Sequence, residues 1–305
     1  MEHVPVLLTE SIEALVHDVD GLYVDCTFGR GGHSAKIIEQ LSNKGRLMVI
    51  DKDPDAIAVA HARYATDARV SIAHGTFADI GRLLTEKEFE CVDGILLDLG
   101  VSSVQLNSPE RGFSFQKDGP LDMRMDNSQG ESAAMWLSAA TAAEITTVLK
   151  TLGEERFARR IASEIVKQRA IKPIQTTLEL ASLVERAVPR REQKKHPATR
   201  TFQAIRIHVN EELKELQVCL KQVFARLRTQ GRLVVISFHS LEDRIIKRFI
   251  RDLEKNDPYP SRMPITSDQI VQPVRSLGKW VAKQAEVQAN PRARSAVMRV
   301  MEKIV

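Results

Sequence analysis

Residues 23–34, Tyr-Val-Asp-Cys-Thr-Phe-Gly-Arg-Gly-Gly-His-Ser, constrain the fold of this chain more than any other stretch. The apolar residues at its start predict a short buried strand, and residues 34–41 predict a helix. Between them, Gly29, Gly31 and Gly32 predict a tight turn with positive φ at some positions. Side chains at these glycines would keep the backbone away from a bound ligand. The stretch therefore predicts a strand, turn and helix that hold a cofactor.

An acidic residue at the end of the next predicted strand indicates what kind of cofactor this is. Residues 45–50 predict that strand, and Asp51 follows it about 20 residues after the glycines, where a carboxylate accepts hydrogen bonds from ribose hydroxyls. The dinucleotide fingerprint requires a third glycine where Ser34 stands, and no Lys-Ser/Thr pair completes a P-loop. We therefore predict a nucleoside without a diphosphate, of which S-adenosylmethionine is the commonest, and disfavour a nicotinamide-dependent oxidoreductase.

Composition excludes several classes of protein. The chain has 305 residues, 43% of them apolar, which suffices for a large core. No stretch has the length of a membrane span, and the first residues lack the pattern of a signal peptide, so we expect a cytoplasmic protein. Its cysteines are far apart and no His stands near them at metal spacing, so we expect reduced thiols and no metal site. They are Cys26, Cys91 and Cys219.

Charge is distributed unevenly along the chain. Residues 1–149 contain 12 Lys and Arg against 23 Asp and Glu, a net charge of −11, whereas residues 150–305 contain 32 against 17, a net charge of +15. An acidic half suits a cationic sulfonium cofactor, and a basic half suits a polyanion. Solvated helix faces also collect Lys and Arg, so charge alone leaves both interpretations open.

The order of predicted strands and helices indicates an α/β fold with an insertion. Further strands are predicted at residues 70–73, 92–99, 231–238 and 295–305, and further helices at 53–64 and 240–255, the latter with Ser240 as its N-cap. Asp98 lies at the carboxyl end of the fourth strand, where open α/β sheets bind their ligands. Residues 256–290 are predicted to be irregular.

A long turn-rich loop and a run of helices interrupt this alternation. The loop covers residues 100–130, and loops of this length are usually functional. Helices are predicted at residues 132–138, 142–152, 154–169, 176–187 and 199–217. We therefore predict a discontinuous α/β domain of residues 1–104 and 218–305, and a lid loop with a helical subdomain for substrate recognition at residues 105–217.

Eight motifs in order resemble the MraW family of 16S ribosomal RNA methyltransferases, and the resemblance spans almost the whole chain. They are the segments at residues 3–8, 27–34, 98–103, 111–115, 118–125, 196–204, 237–244 and 290–295. Two departures, Val104 in place of the usual Pro and Cys26 in place of Gly or Ala, affect loop detail only.

The resemblance implies a fold, a reaction and a set of residues. The fold is a class I S-adenosylmethionine methyltransferase, with a Rossmann-like, mostly parallel sheet and an inserted all-helical subdomain. The reaction is methylation of N4 of a cytidine in the decoding region of 16S ribosomal RNA, within the small ribosomal subunit. The family's cofactor contacts fall on Gly31, Gly32, His33, Asp51, Phe77, Asp98 and Gln105.

The group that activates the cytosine amine is less clear from the residues. Other amino methyltransferases carry an Asp/Asn-Pro-Pro-aromatic motif after the fourth strand, where this chain has Asp-Leu-Gly-Val. We hypothesise that Asp98, or a backbone carbonyl near Leu99 and Gly100, accepts hydrogen bonds from the amine. His239 and Ser237, after the fifth strand, are secondary candidates, and a structural histidine beside a helix start is the alternative for His239.

Basic residues of the second half are candidates for phosphate contacts. They are Arg190, Arg191, Lys194, Lys195, Arg200, Arg206, Arg292 and Arg294. Phe113 and Phe115 are candidates for stacking on an unstacked base, with core packing as the alternative. DNA cytosine methylation and a catalytically silent ribosome assembly factor are further alternatives, although a silent factor need not keep Asp51 and Asp98. The oligomeric state, a homodimer among the options, is left open.

Overall fold

The computed structural model describes residues 5–189, 196–255 and 272–305. The chain divides into two compact units, which we call the sheet unit, Met1–Gly100 with Leu213–Val305, and the helical unit, Val101–Glu212. The sequence placed the corresponding boundaries at residues 104 and 218. A substrate-recognition role for the insertion stays a prediction.

The sheet unit contains a seven-stranded sheet of order β3-β2-β1-β4-β5-β7-β6. Strands β1 to β5 pair in parallel, whereas β7 is antiparallel to both β5 and β6. This arrangement confirms the predicted α/β class with a mostly parallel sheet. The strands are β1 Leu22–Asp25, β2 Arg46–Asp51, β3 Val70–His74, β4 Val92–Asp98, β5 Leu227–Ser237, β6 Val274–Val281 and β7 Val297–Lys303.

The central strands are apolar throughout because both faces of the sheet are covered. In β4, Ile95 and Leu97 belong to the core on one face and Leu96 to the core on the other, each with no exposed surface. Continuous apolar runs are typical of parallel strands buried on both sides. Polar side chains are therefore concentrated where β1, β2 and β4 end, at Asp25, Asp51 and Asp98.

The structure describes thirteen α-helices in the two units together, and most of them have six or more residues. They are α1 Leu8–Leu15, α2 Gly32–Gln40, α3 Pro54–Tyr64, α4 Ile80–Glu86, α5 Ser103–Asn107, α6 Ala133–Ala139, α7 Ala142–Leu152, α8 Ala158–Ile171, α9 Thr177–Ala187, α10 Ala198–Val209, α11 Glu212–Arg226, α12 Ser240–Lys255 and α13 Gln284–Ala289.

Local capping explains why several of these helices begin where the sequence predicts. Asp53 accepts a hydrogen bond from the Asp55 backbone N–H, with proline in the first turn of α3. Thr176 and Glu179 form the predicted capping box at the start of α9. Helices α6 to α10 pack around a separate apolar core, which confirms that the insertion is helical.

Three predictions about secondary structure are wrong. The predicted helix at residues 199–217 is two helices, because the chain turns at Asn210 and Glu211, where Glu211 has a φ of 50°. The stretch predicted to be irregular contains β6 and α13. Ser240 is the first residue of α12 and not its N-cap, since the His239 carbonyl accepts the first helical hydrogen bond, from Asp243.

Asn210 stabilises the helical unit through contacts that are distant in sequence. It is 5% exposed. Its Oδ1 accepts a hydrogen bond from the Met125 backbone N–H at 2.7 Å, and its Nδ2 donates to the Met123 carbonyl at 2.7 Å and the Arg206 carbonyl at 2.9 Å. One side chain thus links the long loop to the end of α10.

Replacing Asn210 with alanine is expected to lower the free energy of unfolding by about 2–4 kcal/mol, because buried backbone groups lose their partners. Urea unfolding followed by circular dichroism measures the change. Asn43→Ala, at an exposed position, is the control and is expected to stay within about 0.5 kcal/mol of the wild type. Equal stability of the two variants would contradict this role.

Candidate active site

The turn between β1 and α2 requires glycine. Gly29 and Gly31 have φ values of 55° and 72°. A Cβ on Gly31 would lie 2.6 Å from the Phe28 ring and 2.9 Å from Nη1 of Arg63, which is too close for real atoms. A Cβ on Gly32 would meet Pro5. The predicted tight turn is therefore present. Gly31 and Gly32 let neighbouring side chains pack against the backbone, whereas the space beside Gly29 is open, since a Cβ there would have no neighbour nearer than 4.0 Å.

Asp51 lies at the end of β2, beside this turn. Its Oδ2 accepts a hydrogen bond from the Gly29 backbone N–H at 2.7 Å, and its Oδ1 accepts one from the Asp53 N–H at 2.8 Å. Burial raises the pKa of the Asp51 carboxyl to about 6, although these two hydrogen bonds favour the charged form. Each carboxylate oxygen can accept a further hydrogen bond from a ligand hydroxyl.

Asp98 lies at the end of β4, and one of its carboxyl oxygens is poorly satisfied. Its backbone N–H donates to Oγ1 of Thr27 at 2.7 Å, and its Oδ2 lies 3.6 Å from Nδ1 of His33. Its Oδ1 is buried and has no hydrogen-bond partner among the described residues. Burial raises the pKa of the Asp98 carboxyl well above its usual value, and the charges of Asp25 and Glu242 raise it further.

His33, in the first turn of α2, is fixed between two groups of the sheet unit. It is 5% exposed. Its Nε2 lies 3.3 Å from the carbonyl oxygen of Val6, while its Nδ1 faces Asp98. The imidazole therefore lies between the backbone of Val6 and the carboxyl group of Asp98.

Asp25, at the end of β1, is a site residue that the sequence reasoning missed. It is 1% exposed and accepts hydrogen bonds from the Ser34 hydroxyl at 2.6 Å and the Thr27 N–H at 3.1 Å. Burial raises the pKa of its carboxyl group. The signal was available, since Asp25 ends a parallel strand as Asp51 and Asp98 do.

Glu242, in the first turn of α12, is the second residue that was missed. It is 2% exposed, and its Oε2 accepts hydrogen bonds from the backbone N–H groups of Phe238 at 2.9 Å and His239 at 3.2 Å. Its Oε1 lies 3.1 Å from Nε2 of His239. Neither ring nitrogen of His239 makes a hydrogen bond of acceptable geometry with a described residue. Ser237 donates to the Val297 carbonyl at 3.2 Å, a structural contact.

The other predicted cofactor contacts lie in different units. Phe77 is half-buried in a short 3-10 helix after β3, where it packs against the core of the sheet unit. Gln105 is buried in α5 of the helical unit, where its Oε1 accepts a hydrogen bond from the Ser102 N–H at 2.8 Å. A contact from Gln105 to the cofactor stays a prediction.

The predicted phosphate-binding residues differ in their surroundings. Arg190, Arg191, Lys194 and Lys195 lie outside the described residues. Arg200 is exposed, as are Arg292 and Arg294 in the 3-10 helix Pro291–Ser295.

Arg206 differs from these, because its guanidinium group donates to both oxygens of Glu212, at 2.7 and 2.8 Å. Only 16% of the Arg206 side chain is exposed. The arrangement favours a structural role in the helical unit over a phosphate contact.

Neither phenylalanine of the long loop is free to stack on a base as the structure stands. Phe113 is 6% exposed and belongs to the core of the helical unit. The Phe115 ring is stacked on His196 at a centroid distance of 4.2 Å and meets the edge of Phe202 at 4.9 Å. Phe113 is therefore packed in the core, which is the alternative that the sequence raised.

Two further chemistries find little support in the described part of the chain. Cys26 is 2% exposed, and burial raises the pKa of its thiol well above the usual value, which disfavours a thiolate nucleophile. Within residues 5–189, 196–255 and 272–305, no three His, Cys, Asp or Glu side chains are grouped to hold a metal ion.

No helix in these ranges is long and apolar enough to cross a membrane.

The residues of the sheet unit fit S-adenosylmethionine. The open space beside Gly29 leaves room for a ligand next to the backbone, and Asp51 suits the ribose hydroxyls. The buried Oδ1 of Asp98, which lacks a partner among the described residues, suits a cation or a hydrogen-bond donor.

Relatives that share one name match this chain over almost its whole length. The chain is 53% identical over 304 residues to "Ribosomal RNA small subunit methyltransferase H" of Coxiella burnetii strain RSA 493, with 99% of each chain covered. Strain CbuG_Q212 of that species has a relative of the same name, also 53% identical over 99% of each chain.

Solved structures resemble this chain only distantly. An rRNA methylase from Streptococcus thermophilus has a TM-score of 0.42 at 10% identity, covering 97% of this chain and 92% of its own. A Streptococcus mutans protein in complex with SAH has a TM-score of 0.44 at 10% identity, with full coverage of both chains. Scores this low add nothing to the assignment.

The sequence model of the MraW methylase family matches residues 1–304, almost the full length of the chain. A methylase needs a methyl donor, and the predicted donor, S-adenosylmethionine, is confirmed. The chain belongs to the MraW methylase family.

Proposed function

We propose that this enzyme transfers a methyl group from S-adenosylmethionine to N4 of a cytidine in the decoding region of 16S ribosomal RNA. The curated relatives named above, 53% identical over 99% of the chain, support the small-subunit ribosomal RNA as substrate. Such a substrate is met in the cytoplasm, so the proposal includes a cytoplasmic location. The choice of N4 as the methylated atom depends on the chemistry of Asp98.

The observation that supports N4 as the methylated atom concerns Oδ1 of Asp98, which is buried at the carboxyl edge of the sheet. No described residue forms a hydrogen bond with this oxygen. The amino group of cytosine is a poor nucleophile because its lone pair is delocalised into the ring. A carboxylate that accepts hydrogen bonds from the amino protons localises that lone pair and takes up the proton that is released. Asp98 has an acceptor atom for this task, and its other carboxyl oxygen lies 3.6 Å from Nδ1 of His33.

Bound S-adenosylmethionine supplies an electrophilic methyl group on a positively charged sulfonium. Gly31 and Gly32 shape the turn, Gly29 leaves its backbone open to the ligand, and Asp51 accepts hydrogen bonds from the ribose hydroxyls. A cation beside Asp98 lowers the pKa of its carboxyl group, because it offsets part of the effect of burial and of the negative charges of Asp25 and Glu242. The bound sulfonium therefore shifts Asp98 towards its charged form.

His239 is proposed as a positioning residue at the end of β5. Strand β5 pairs with β4 so that Ile236 lies beside Asp98. Glu242 holds the backbone of Phe238 and His239 and lies 3.1 Å from the imidazole. Both ring nitrogens of His239 are buried and lack hydrogen bonds to described residues, so the imidazole is proposed to position the loop after β5 rather than to contact the base.

The remaining residues are proposed to bind cofactor and RNA at the periphery. Phe77 is proposed to contact the adenine ring, and Gln105 to contribute a polar contact from the helical unit. The exposed Arg200, Arg292 and Arg294 are proposed to contact phosphates, as is the basic run at residues 190–195.

Methyl transfer to small ribosomal subunits tests this function. Subunits purified from cells that lack the protein are incubated with labelled S-adenosylmethionine, and the RNA is digested to nucleosides. We expect the label in N4-methylcytidine. Label in another nucleoside would contradict the proposed atom, and label in DNA alone would favour the DNA methyltransferase. Cofactor binding without transfer to either would favour the silent assembly factor.

Affinity for S-adenosylmethionine is expected to fall about tenfold between pH 7 and pH 5, because Asp51, whose carboxyl pKa is about 6, becomes protonated and accepts the ribose hydroxyls less well. The affinity falls at low pH because the ribose hydroxyls bind preferentially to the charged form of Asp51, and this form is depleted as the pH falls through about 6. Titration calorimetry at several pH values measures the effect.

In Asp51→Asn the affinity is expected to be low at pH 7 and to lose most of this pH dependence. Asp55→Asn, at the exposed position four residues further along, is the control and is expected to keep the wild-type profile. An unchanged profile in Asp51→Asn would remove Asp51 from the site.

Replacing Asp98 with asparagine is expected to lower kcat by about 10²–10⁴, the range typical of a lost general base. Calorimetry is expected to show that the variant still binds S-adenosylmethionine. Asp18→Asn, an exposed residue of the sheet unit, is expected to keep the wild-type kcat. Full activity in Asp98→Asn would show that another group, such as a backbone carbonyl, accepts from the amine.

A further inference from the structure

Five basic side chains lie on one face of α12 in the sheet unit. They are Arg244, Lys247, Arg248, Arg251 and Lys255, and all five are exposed. Since each residue advances an α-helix by 100°, these positions fall within an arc of about 100° and extend about 16 Å along the axis. We call this surface the α12 basic stripe.

Acidic residues of α12 lie outside this arc, and two of them have partners elsewhere. Asp243 accepts hydrogen bonds from Arg299 at 2.6 and 3.1 Å, and Glu254 accepts one from the Ser276 N–H at 2.7 Å. Asp252 borders the stripe and pairs with Arg251 at 2.7 Å. The acids of α12 therefore leave Lys247, Arg248 and Lys255 without a compensating charge on this helix.

The opposite face of α12 is occupied by the core. Ile246 is fully buried and Ile250 is 5% exposed, while Phe249 and Leu253 pack partly against the same core. A basic amphipathic helix binds a membrane by inserting its apolar face, which α12 has already buried. The stripe also contains no aromatic side chain, the usual anchor of a protein–protein interface. A row of cations without an aromatic anchor fits a repeating polyanion as its partner.

The stripe begins close to the proposed reaction site. Strand β5 lies beside β4, with the Leu99 N–H donating to the Ile236 carbonyl at 2.9 Å, and α12 starts three residues after β5 ends. Arg244 is about one helical turn from the start of α12, so the cations lead away from the edge that carries Asp98. The stripe therefore begins at the same edge of the sheet as Asp98.

We propose that the α12 basic stripe binds the phosphate backbone of the RNA substrate and holds the strand whose base enters the site. The inference depends on the proposed function, because it takes the substrate to be RNA. Phosphate contacts of this kind position the strand without reading its sequence. Removal of the stripe is therefore expected to weaken RNA binding without changing the chemical step.

The test compares two triple variants with the same change in charge. Lys247→Gln/Arg248→Gln/Lys255→Gln removes three cations of the stripe, and Lys44→Gln/Lys87→Gln/Lys221→Gln removes three exposed lysines elsewhere on the sheet unit. Methyl transfer to small ribosomal subunits gives KM and kcat at several salt concentrations. Binding to 16S ribosomal RNA without cofactor is measured in parallel by fluorescence anisotropy.

In the stripe variant we expect KM to rise roughly 10- to 100-fold. The slope of log affinity against log salt is expected to fall by about 2, because each phosphate neutralised on a single strand adds roughly 0.7 to that slope. We expect kcat and the affinity for S-adenosylmethionine to be unchanged, and the control triple to match the wild type. Lys247→Arg/Arg248→Lys/Lys255→Arg, which preserves the charge, is expected to keep the wild-type KM and salt slope.

Two results would overturn the inference. One is a stripe variant with the same KM and salt slope as the control triple. The other is loss of binding to phosphatidylserine vesicles with RNA binding intact, which would assign the stripe to membranes. Failure of the proposed function can be told apart from failure of this inference. If the proposed function is wrong, the wild type binds RNA without methylating it, and the anisotropy comparison still shows whether the stripe contributes to RNA binding.

Discussion

Burial of carboxyl groups where parallel strands end is the constraint on which the site depends. Asp25 and Asp98 end the neighbouring strands β1 and β4, and Asp51 ends β2. Burial raises the pKa of each of these carboxyl groups, and the charge of Asp25 raises the pKa of both others. Backbone N–H groups and hydroxyls from the glycine turn offset part of this cost at Asp25 and Asp51. At Asp98 one oxygen has no such partner among the described residues, so the site gains most from a ligand there.

The same edge of the sheet explains why binding and chemistry are close together. Strands β1, β2, β4 and β5 are parallel, so the turn, Asp51, Asp98 and the start of α12 all follow carboxyl ends of strands. We propose that the acidic groups face the cationic donor and that the row of cations on α12 faces the polyanionic substrate. On this proposal, one unit carries both the reacting groups and a surface for the substrate backbone.

Sequence reasoning succeeded where the signal is local. The glycine turn, the Asp53-Pro54 start of α3 and the capping box at Thr176 are each determined by neighbouring residues. It failed where contacts between residues distant in sequence determine the local structure. The break after α10 depends on two hydrogen bonds to residues far away in sequence: Asn210 donates one to the Met123 carbonyl and accepts one from the Met125 N–H. Strand β6 contains Gly278 and exposed charges, and it exists because it pairs with β7. Glu242 could not be found from the sequence because its burial is a tertiary property, whereas Asp25 could have been found from its place at the end of β1.

A crystal structure of the enzyme with S-adenosylhomocysteine and cytidine tests the central claim most directly. The account predicts that Oδ1 of Asp98 lies within hydrogen-bonding distance, about 2.6–3.2 Å, of the cytosine N4 atom. It also predicts that the ribose hydroxyls of the cofactor contact Asp51. A cytosine amine bonded only to backbone carbonyls, with Asp98 turned towards the cofactor alone, would contradict the role assigned to Asp98.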